Sequence, residues 1–371
     1  MKTLMRYYVQ FRGWKTKRRI VVIESDDWGS IRMPSMKAYR ALAEKNSKVS
    51  SDPYCRYDTL ESQSDLEALA NVLIDLKDFS GRPPVITTNT IVANPRFDDI
   101  RQSGFERYSY EDFRDTYLRY GDGHSTLKVL QTVVRERLVF PQLHGREHVH
   151  VPLWLSELRK GQPELLHAFD HDCFGVPYMS SAKNLRKNLL ASLDRTGLPN
   201  EQQFQERSIS ESAQIFEKQF GYTSRSFIAP AYTWHRSIEK SLSDVGISCI
   251  QGLPLQYEAR LGTNTYTKRL HFTGQRNFHG QYYSVRNVFF EPNLNERFDW
   301  LNSAIKRVGE AFFFDKPAII SMHRLNFVGG LDIHARDRNL SLLKKFLSDI
   351  LKKWPTVEFL TSEQLALQIS K

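Results

Sequence analysis

Hydrophobic and polar positions fall into two regimes along the chain. Short apolar, β-branched runs predict buried strands: Arg19–Ser25 (RIVVIES), Pro84–Val92 (PVITTNTIV), Leu138–Leu143 (LVFPQL), Ser226–Ala229 (SFIA), Ile247–Ile250, Tyr282–Phe290, Ala318–Met322 (AIISM) and Val357–Leu360. Between them the apolar spacing lengthens to three and four. That period predicts helices over Pro34–Lys45, Ser64–Leu76, Tyr110–Tyr120, Ser125–Glu136, Leu294–Phe312 and Asn339–Leu351, with a last one after Leu360. Asn94-Pro95 and Gly121-Asp122-Gly123 read as turns. Residues 151–220 are helix-rich, with loops around Gly175 and Pro199, and read as an insertion over one face.

Strands separated by helices predict a parallel α/β sheet, closed or nearly closed into a barrel. No repeat, low-complexity tract or linker interrupts it, so residues 1–371 are expected to form one domain carrying the 151–220 insertion.

A chain of 371 residues with 40% hydrophobic and 25% charged residues excludes fibrous and mostly disordered classes. Three well-separated cysteines, Cys55, Cys173 and Cys249, argue against a disulfide framework or a thiolate zinc site. Without a signal-peptide core or a membrane-length apolar run, the expected location is the cytoplasm. The net charge of +10 suits an acidic polymer, a phosphate-rich ligand or an anionic membrane. Seven basic and no acidic residues in the first 20 permit peripheral contact with an anionic bilayer, although a solvated arm is the expected state. No basic helix, zinc finger or aromatic RNA-binding motif points to nucleic acid.

In parallel α/β folds, reacting side chains collect at the C-terminal ends of strands. Four predicted strand ends carry such residues: Glu24-Ser25-Asp26-Asp27-Trp28-Gly29, His144-Gly145-Arg146-Glu147-His148-Val149-His150, Pro230-Ala231-Tyr232-Thr233-Trp234 and His323-Arg324-Leu325-Asn326. If the chain turns helical after His144, that residue and His148 share one face and can bind one metal. A carboxylate from Asp26 or Asp27 completes a two-His, one-carboxylate set and leaves the other as a base. The expected cofactor is one divalent ion, Zn²⁺ first, with Co²⁺, Ni²⁺ or Mn²⁺ as alternatives. Two rival clusters exist: the HxH of His148 and His150, and His167-Ala168-Phe169-Asp170-His171, which is expected at the surface.

In their order, these motifs resemble those of the polysaccharide deacetylase family, the NodB-homology fold of carbohydrate esterase family 4. Asp26-Asp27 stands for the family's Thr-Phe-Asp-Asp-Gly, without the Thr-Phe and with the glycine moved one place. His144-Gly-Arg-Glu-His148 stands for His-Ser/Thr-x-x-His. Phe227-Ile228-Ala229-Pro230 keeps the proline of Arg-x-Pro but has Ile228 at the arginine, and Ile320-Ser321-Met322-His323 fits the last motif. The chain is similar to a divergent branch.

The resemblance implies a distorted (β/α)7 barrel and a metal-dependent hydrolase that removes acetyl groups from an N-acetylated sugar, glycan or glycan precursor in cell-surface polysaccharide metabolism. It makes Asp27, His144 and His148 the metal ligands, Asp26 the base and His323 the acid. The missing arginine is expected to be replaced by Arg286, Arg146 or Arg324. Trp28, Tyr232 and Trp234, with Pro230 beside them, are candidate sugar-facing residues, and core packing is an equal reading for the aromatics. Two alternatives stand beside it: hydrolysis of another amide, such as a formyl group or a cyclic ureide, and a catalytically silent glycan-binding protein.

Overall fold

The computed structural model describes residues 2–120, 122–178, 189–261, 263 and 265–371; Gly121 of the second predicted turn and part of the insertion lie outside them. The apolar runs become the strands β1 Arg19–Trp28, β2 Ile86–Ile91, β3 Val139–Gly145, β4 Ser226–Ile228, β5 Cys249–Gly252, β6 Tyr282–Val285, β7 Val288–Phe289, β8 Ala318–His323 and β9 Val357–Leu360. Neighbours pair in parallel and in chain order, from β1 through β2, β3, β4 and β5 to β6.

The ring closes through one stretch of chain. β6 pairs with β5, and β7, only two residues later, pairs with β8, which lies against β1. At the joint the Arg286 N–H donates to Gly252 O at 3.0 Å and the Asn287 N–H to Ile319 O at 3.1 Å. Counting that stretch as one stave gives the distorted seven-stave barrel. β9 is an extra strand that pairs with β1 over Arg19–Val22, below the point where β2 joins at Ile23.

Alternation along the strands sorts side chains into an outer and an inner layer. Val21, Ile23, Ile86, Ile320 and Met322 of the strands form one cluster with the helices Gln63–Leu73, Trp300–Phe313 and Ile333–Lys353, whose Leu69, Val308, Leu343 and Phe346 are all buried. Each such side chain contributes about 1.5–3 kcal/mol by leaving water. Inside, the bottom of the barrel is apolar: Ile20, Val22, Ile319 and Leu360 close on Leu365 and Ile369 of the C-terminal helix Ser362–Ser370. Above them Glu24, Asn89, Gln251, Arg286 and Ser321 form a buried polar layer, and the strand ends lie one step further up.

Several predicted elements shift, each for a local reason. Ser62 caps Gln63–Leu73 through a reciprocal capping box with Asp65. The predicted helix at Tyr110 begins instead as a strand, Tyr110–Asp112, paired with Ala93–Pro95 where a turn was expected; Asp112 then caps the helix Phe113–Arg119. The helix expected from Leu294 starts at Trp300, where Asp299 accepts from the Asn302 N–H. A hairpin, Leu255–Ala259 with Tyr266–Leu270, was not predicted, because polar and charged residues break its apolar alternation.

The basic N-terminus is not a solvated arm. Residues Lys2–Phe11 form a helix, Val9 and Gln10 are buried, and the Tyr7 and Phe11 rings meet Phe314. No helix among the described residues is long and apolar enough to cross a membrane.

Candidate active site

The strand ends are irregular where the candidate residues sit. The β1–β2 register slips between Ser25 and Trp28, so Asp26 and Asp27 fall in the irregularity, and Asp27 takes a left-handed φ of 75°. The β2–β3 register slips as well, between Thr90 and Ile91, opposite His144. Gly145 then turns the chain at φ 114°, a region that glycine adopts freely. The expected helical turn after His144 is absent: the chain bends through 146–150 and the next helix starts at Val151. The two imidazoles meet because a strand end and a loop converge, with ring centroids 5.2 Å apart.

Asp27, His144 and His148 form a buried cluster whose ligand atoms lie within 4.8 Å of one another. Asp27 Oδ1 is 3.2 Å from His144 Nε2 and 3.0 Å from His148 Nε2. The other nitrogen of His144, Nδ1, donates to Ile228 O at 2.9 Å, which fixes the ring so that Nε2 is the nitrogen turned toward Asp27. Burial lowers the pKa of His148 and favours its neutral form, although Asp27 opposes this. Burial would raise the pKa of Asp27, but His148 and His144 hold it well below the usual carboxylate range. Two imidazole nitrogens and a carboxylate oxygen converging on one point fit a divalent cation. Among the described residues this is the cluster that could hold one.

Asp26 stands beside this cluster and directly opposite His323 in the β1–β8 register. Arg286 grips it with two parallel bonds, Nη1 to Oδ2 and Nη2 to Oδ1, each 2.7 Å, and its Nε reaches Glu24 at 2.7 Å. Asn89 donates to Oδ1 at 2.7 Å and the Tyr232 hydroxyl to Oδ2 at 3.2 Å. Burial favours the neutral acid, but Arg286 outweighs it and Asp26 is lowered to about 2. Across the site, His323 Nδ1 donates to Glu291 at 2.6 Å while Nε2 faces Asp26 Oδ2 at 3.7 Å. Burial disfavours the imidazolium, yet Glu291 more than compensates, and the pKa of His323 is raised to about 9.

Of the three arginines nominated for the place vacated at Ile228, Arg286 is the one that meets Asp26. Arg146 is committed to Glu147 and Glu211. Arg324 is committed to Asp58 at 2.9 Å and Glu61 at 2.7 Å; through Glu61, which also accepts the Gly29 N–H, it braces the loop after Asp27. Neither is free to meet a substrate. Trp28 and Trp234 lie in the core, their indole N–H groups bonded to Ser25 and Glu239, so neither offers a face to a sugar. Tyr232 is half-buried at the site, and Pro230 is buried beneath it.

His150 is not a ligand: its Nδ1 caps the next helix and its Nε2 faces Glu201 at 3.0 Å. His167 and His171 bond backbone carbonyls away from the cluster. Glu291 and Asn89 escaped the sequence reading. Glu291 directly follows the predicted strand Tyr282–Phe290, so the strand-end filter would have found it there. Asn89 is a polar residue inside a buried strand, which is itself a signal.

No family model and no curated protein matches the chain. Solved structures do. The chain is similar to a "putative polysaccharide deacetylase from Mycobacterium smegmatis" at 11% identity and TM-score 0.43, covering 97% of this chain and 93% of that one. It is similar to "Puue Allantoinase" at 10% identity and TM-score 0.46, covering 95% and 91%. A "probable Polysaccharide deacetylase from Pseudomonas aeruginosa PAO1" is similar at 9% identity and TM-score 0.45, covering 95% and 91%.

Proposed function

We propose that this protein is a metal-dependent hydrolase that removes the acetyl group from an N-acetylated sugar or glycan precursor. One observation carries the reading: register partners Asp26 and His323, held in opposite charge states, face each other beside the Asp27, His144 and His148 cluster. A divalent ion held by those three residues would supply a Lewis acid for the acyl carbonyl and a more acidic water.

The chain's own groups do the rest. Asp26 stays ionised at neutral pH, and Arg286 and Asn89 fix its plane, so it accepts an O–H from the attacking water in one orientation. His323 is protonated at neutral pH, and Glu291 holds the Nδ1 proton, so Nε2–H is the proton offered to the departing amine. An amine leaves poorly without that proton. The same arrangement would serve a formyl amide or a cyclic ureide, and product analysis separates these.

The saturation of Asp26 favours a second reading, a glycan-binding protein without turnover. Four donor contacts, two of them from Arg286, leave its oxygens little capacity for another proton. Metal analysis of the wild type beside His144→Ala, joined to acetate release from N-acetylated chito-oligosaccharides, tests both. Near one equivalent of divalent metal, lost in the variant, together with acetate release supports the hydrolase. Sugar binding without acetate release supports the silent binder. A protein that takes up neither Zn²⁺ nor Co²⁺ overturns the hydrolase.

A further inference from the structure

The described part of the barrel buries five arginines to below one-tenth exposure: Arg32, Arg146, Arg286, Arg324 and Arg336. Four of them meet carboxylates: Arg146 with Glu147, Arg286 with Asp26, Arg324 with Asp58 and Arg336 with Asp65. Arg32 does not. Its side chain makes no ion pair within 4.0 Å and no hydrogen bond among the described residues, and its Nε is shut away from solvent without a partner. A guanidinium in that state loses its hydration without gaining a hydrogen-bonded partner; an aromatic ring and two carboxylates beyond ion-pair distance are what favour its charge.

The position is built rather than accidental. The Ile31 N–H donates to Asn94 Oδ1 at 2.8 Å, the Met33 N–H to Asp58 O at 3.1 Å, and Cys173 Sγ to Arg32 O at 3.3 Å, so the backbone on both sides is pinned. Gly175 lies against the stem; a Cβ there would come within 2.9 Å of Arg32 Cδ. The guanidinium carbon sits 4.6 Å over the Tyr54 ring, and that ring meets His323 edge-on at 5.5 Å. Arg32 is thus one aromatic ring away from the residue that faces Asp26, and five positions along the chain from Asp27. Asp27 and Asp58 act on it from beyond ion-pair distance, and Asp58 is committed to Arg324.

We propose that Arg32 is the receptor for an anionic group, a phosphate or a carboxylate, carried by the substrate next to the bond that is cleaved. The planar fork of a guanidinium suits both groups, and the net charge of +10 favours their approach. This deepens the hydrolase reading by naming a substrate class, and it rests on that reading for the cleaved bond; capture of the anion by Arg32 does not depend on cleavage.

Isothermal calorimetry with N-acetylglucosamine, N-acetylglucosamine 1-phosphate and N-acetylmuramic acid compares a neutral, a phosphate-bearing and a carboxylate-bearing ligand. Wild type should bind one of the anionic sugars about tenfold or more tightly than the neutral one, and Arg32→Gln should lose that preference. Whichever anion is preferred identifies the source of the charge. Equal binding, or no binding, of all three by wild type overturns the proposal, and so does a preference that survives in Arg32→Gln.

Melting curves without ligand guard against a merely structural role. Arg32→Gln removes an unpaired buried charge and should melt at or above the wild-type temperature. A fall as large as that of Arg324→Gln would make Arg32 scaffold and sink the idea. Because binding is read without turnover, the two readings can fail separately. Anion preference without acetate release leaves this proposal standing and removes the hydrolase. Acetate release from neutral and anionic sugars alike, unchanged in Arg32→Gln, does the reverse.

Discussion

Removing Arg286 would leave Glu24 inside the barrel without its cation and Asp26 with only His323 to face. Breaking a buried pair in this way costs about 3–5 kcal/mol, so Arg286→Met should lower unfolding free energy in urea by that order. Arg286→Lys should rescue little of it, because a single ammonium cannot span both oxygens of Asp26 and Glu24 as well. A lysine variant as stable as wild type would show that charge alone matters here.

His323 gives a prediction with a sign. Its folded pKa of about 9 lies above the ordinary histidine value of 6.5, so its contribution to stability is complete below about pH 6.5 and is lost as pH rises through 9. Glu291→Gln removes the main cause. Melting temperature followed from pH 6 to 10 should therefore decline less steeply in that variant, and the alkaline limb of any activity profile should move to lower pH. Superimposable profiles would remove Glu291 from the account.

At the scale of elements, the site depends on two irregular strand ends and two glycines with different demands. A Cβ at Gly29 would lie 2.5 Å from Ile91 O, whereas at Gly145 the nearest atom is 3.8 Å away. Gly145→Ala meets backbone strain alone, about 1–3 kcal/mol. Gly29→Ala meets strain and a clash with backbone that cannot swing aside, so it should be the more destabilising of the two. Thermal melts rank them, and the opposite order would mean that the loop after β1 relaxes more readily than its hydrogen bonds suggest.

Legibility in the sequence follows the same division. RIVVIES, PVITTNTIV and AIISM were readable because strands buried on both faces are rich in β-branched and apolar residues along their whole length. The polar strand ends then exposed Asp26, Asp27, His144, His148 and His323 as residues that could meet. Which arginine would fill the gap at Ile228 was not readable. Arg286 comes from the joint between two half-strands, and only the register shows that this joint opens into the barrel. For the two tryptophans sugar stacking and core packing stay equal readings in the sequence, because an aromatic at a strand end looks alike whether it faces the cleft or the core.

At the scale of the whole molecule, the site is assembled from the ends of the chain inward. β1 supplies Asp26 and Asp27, yet its neighbours include β8, which begins at Ala318, on one edge and β9, which begins at Val357, below β2 on the other. The Arg18 side chain reaches Glu358, 340 positions away. Truncation before β9 should therefore leave the Arg19–Val22 edge unpaired and open the floor where Leu360 and Leu365 pack. Loss of cooperative unfolding is the expected readout, and a truncated chain that melts as sharply as the full one would contradict it.

The closing stretch Tyr282–Phe289 has a consequence in time. A ring of strands cannot be tested for fit until its last stave, β8, arrives, and the stave just before it carries the arginine that neutralises the interior. A growing chain must therefore hold β1 to β5 in waiting, with a carboxylate-lined gap, through most of its synthesis. Contacts this distant close slowly, and open strand edges invite pairing with other chains. Refolding from denaturant should accordingly show one late, concentration-sensitive phase in which metal uptake and burial of Arg286 appear together.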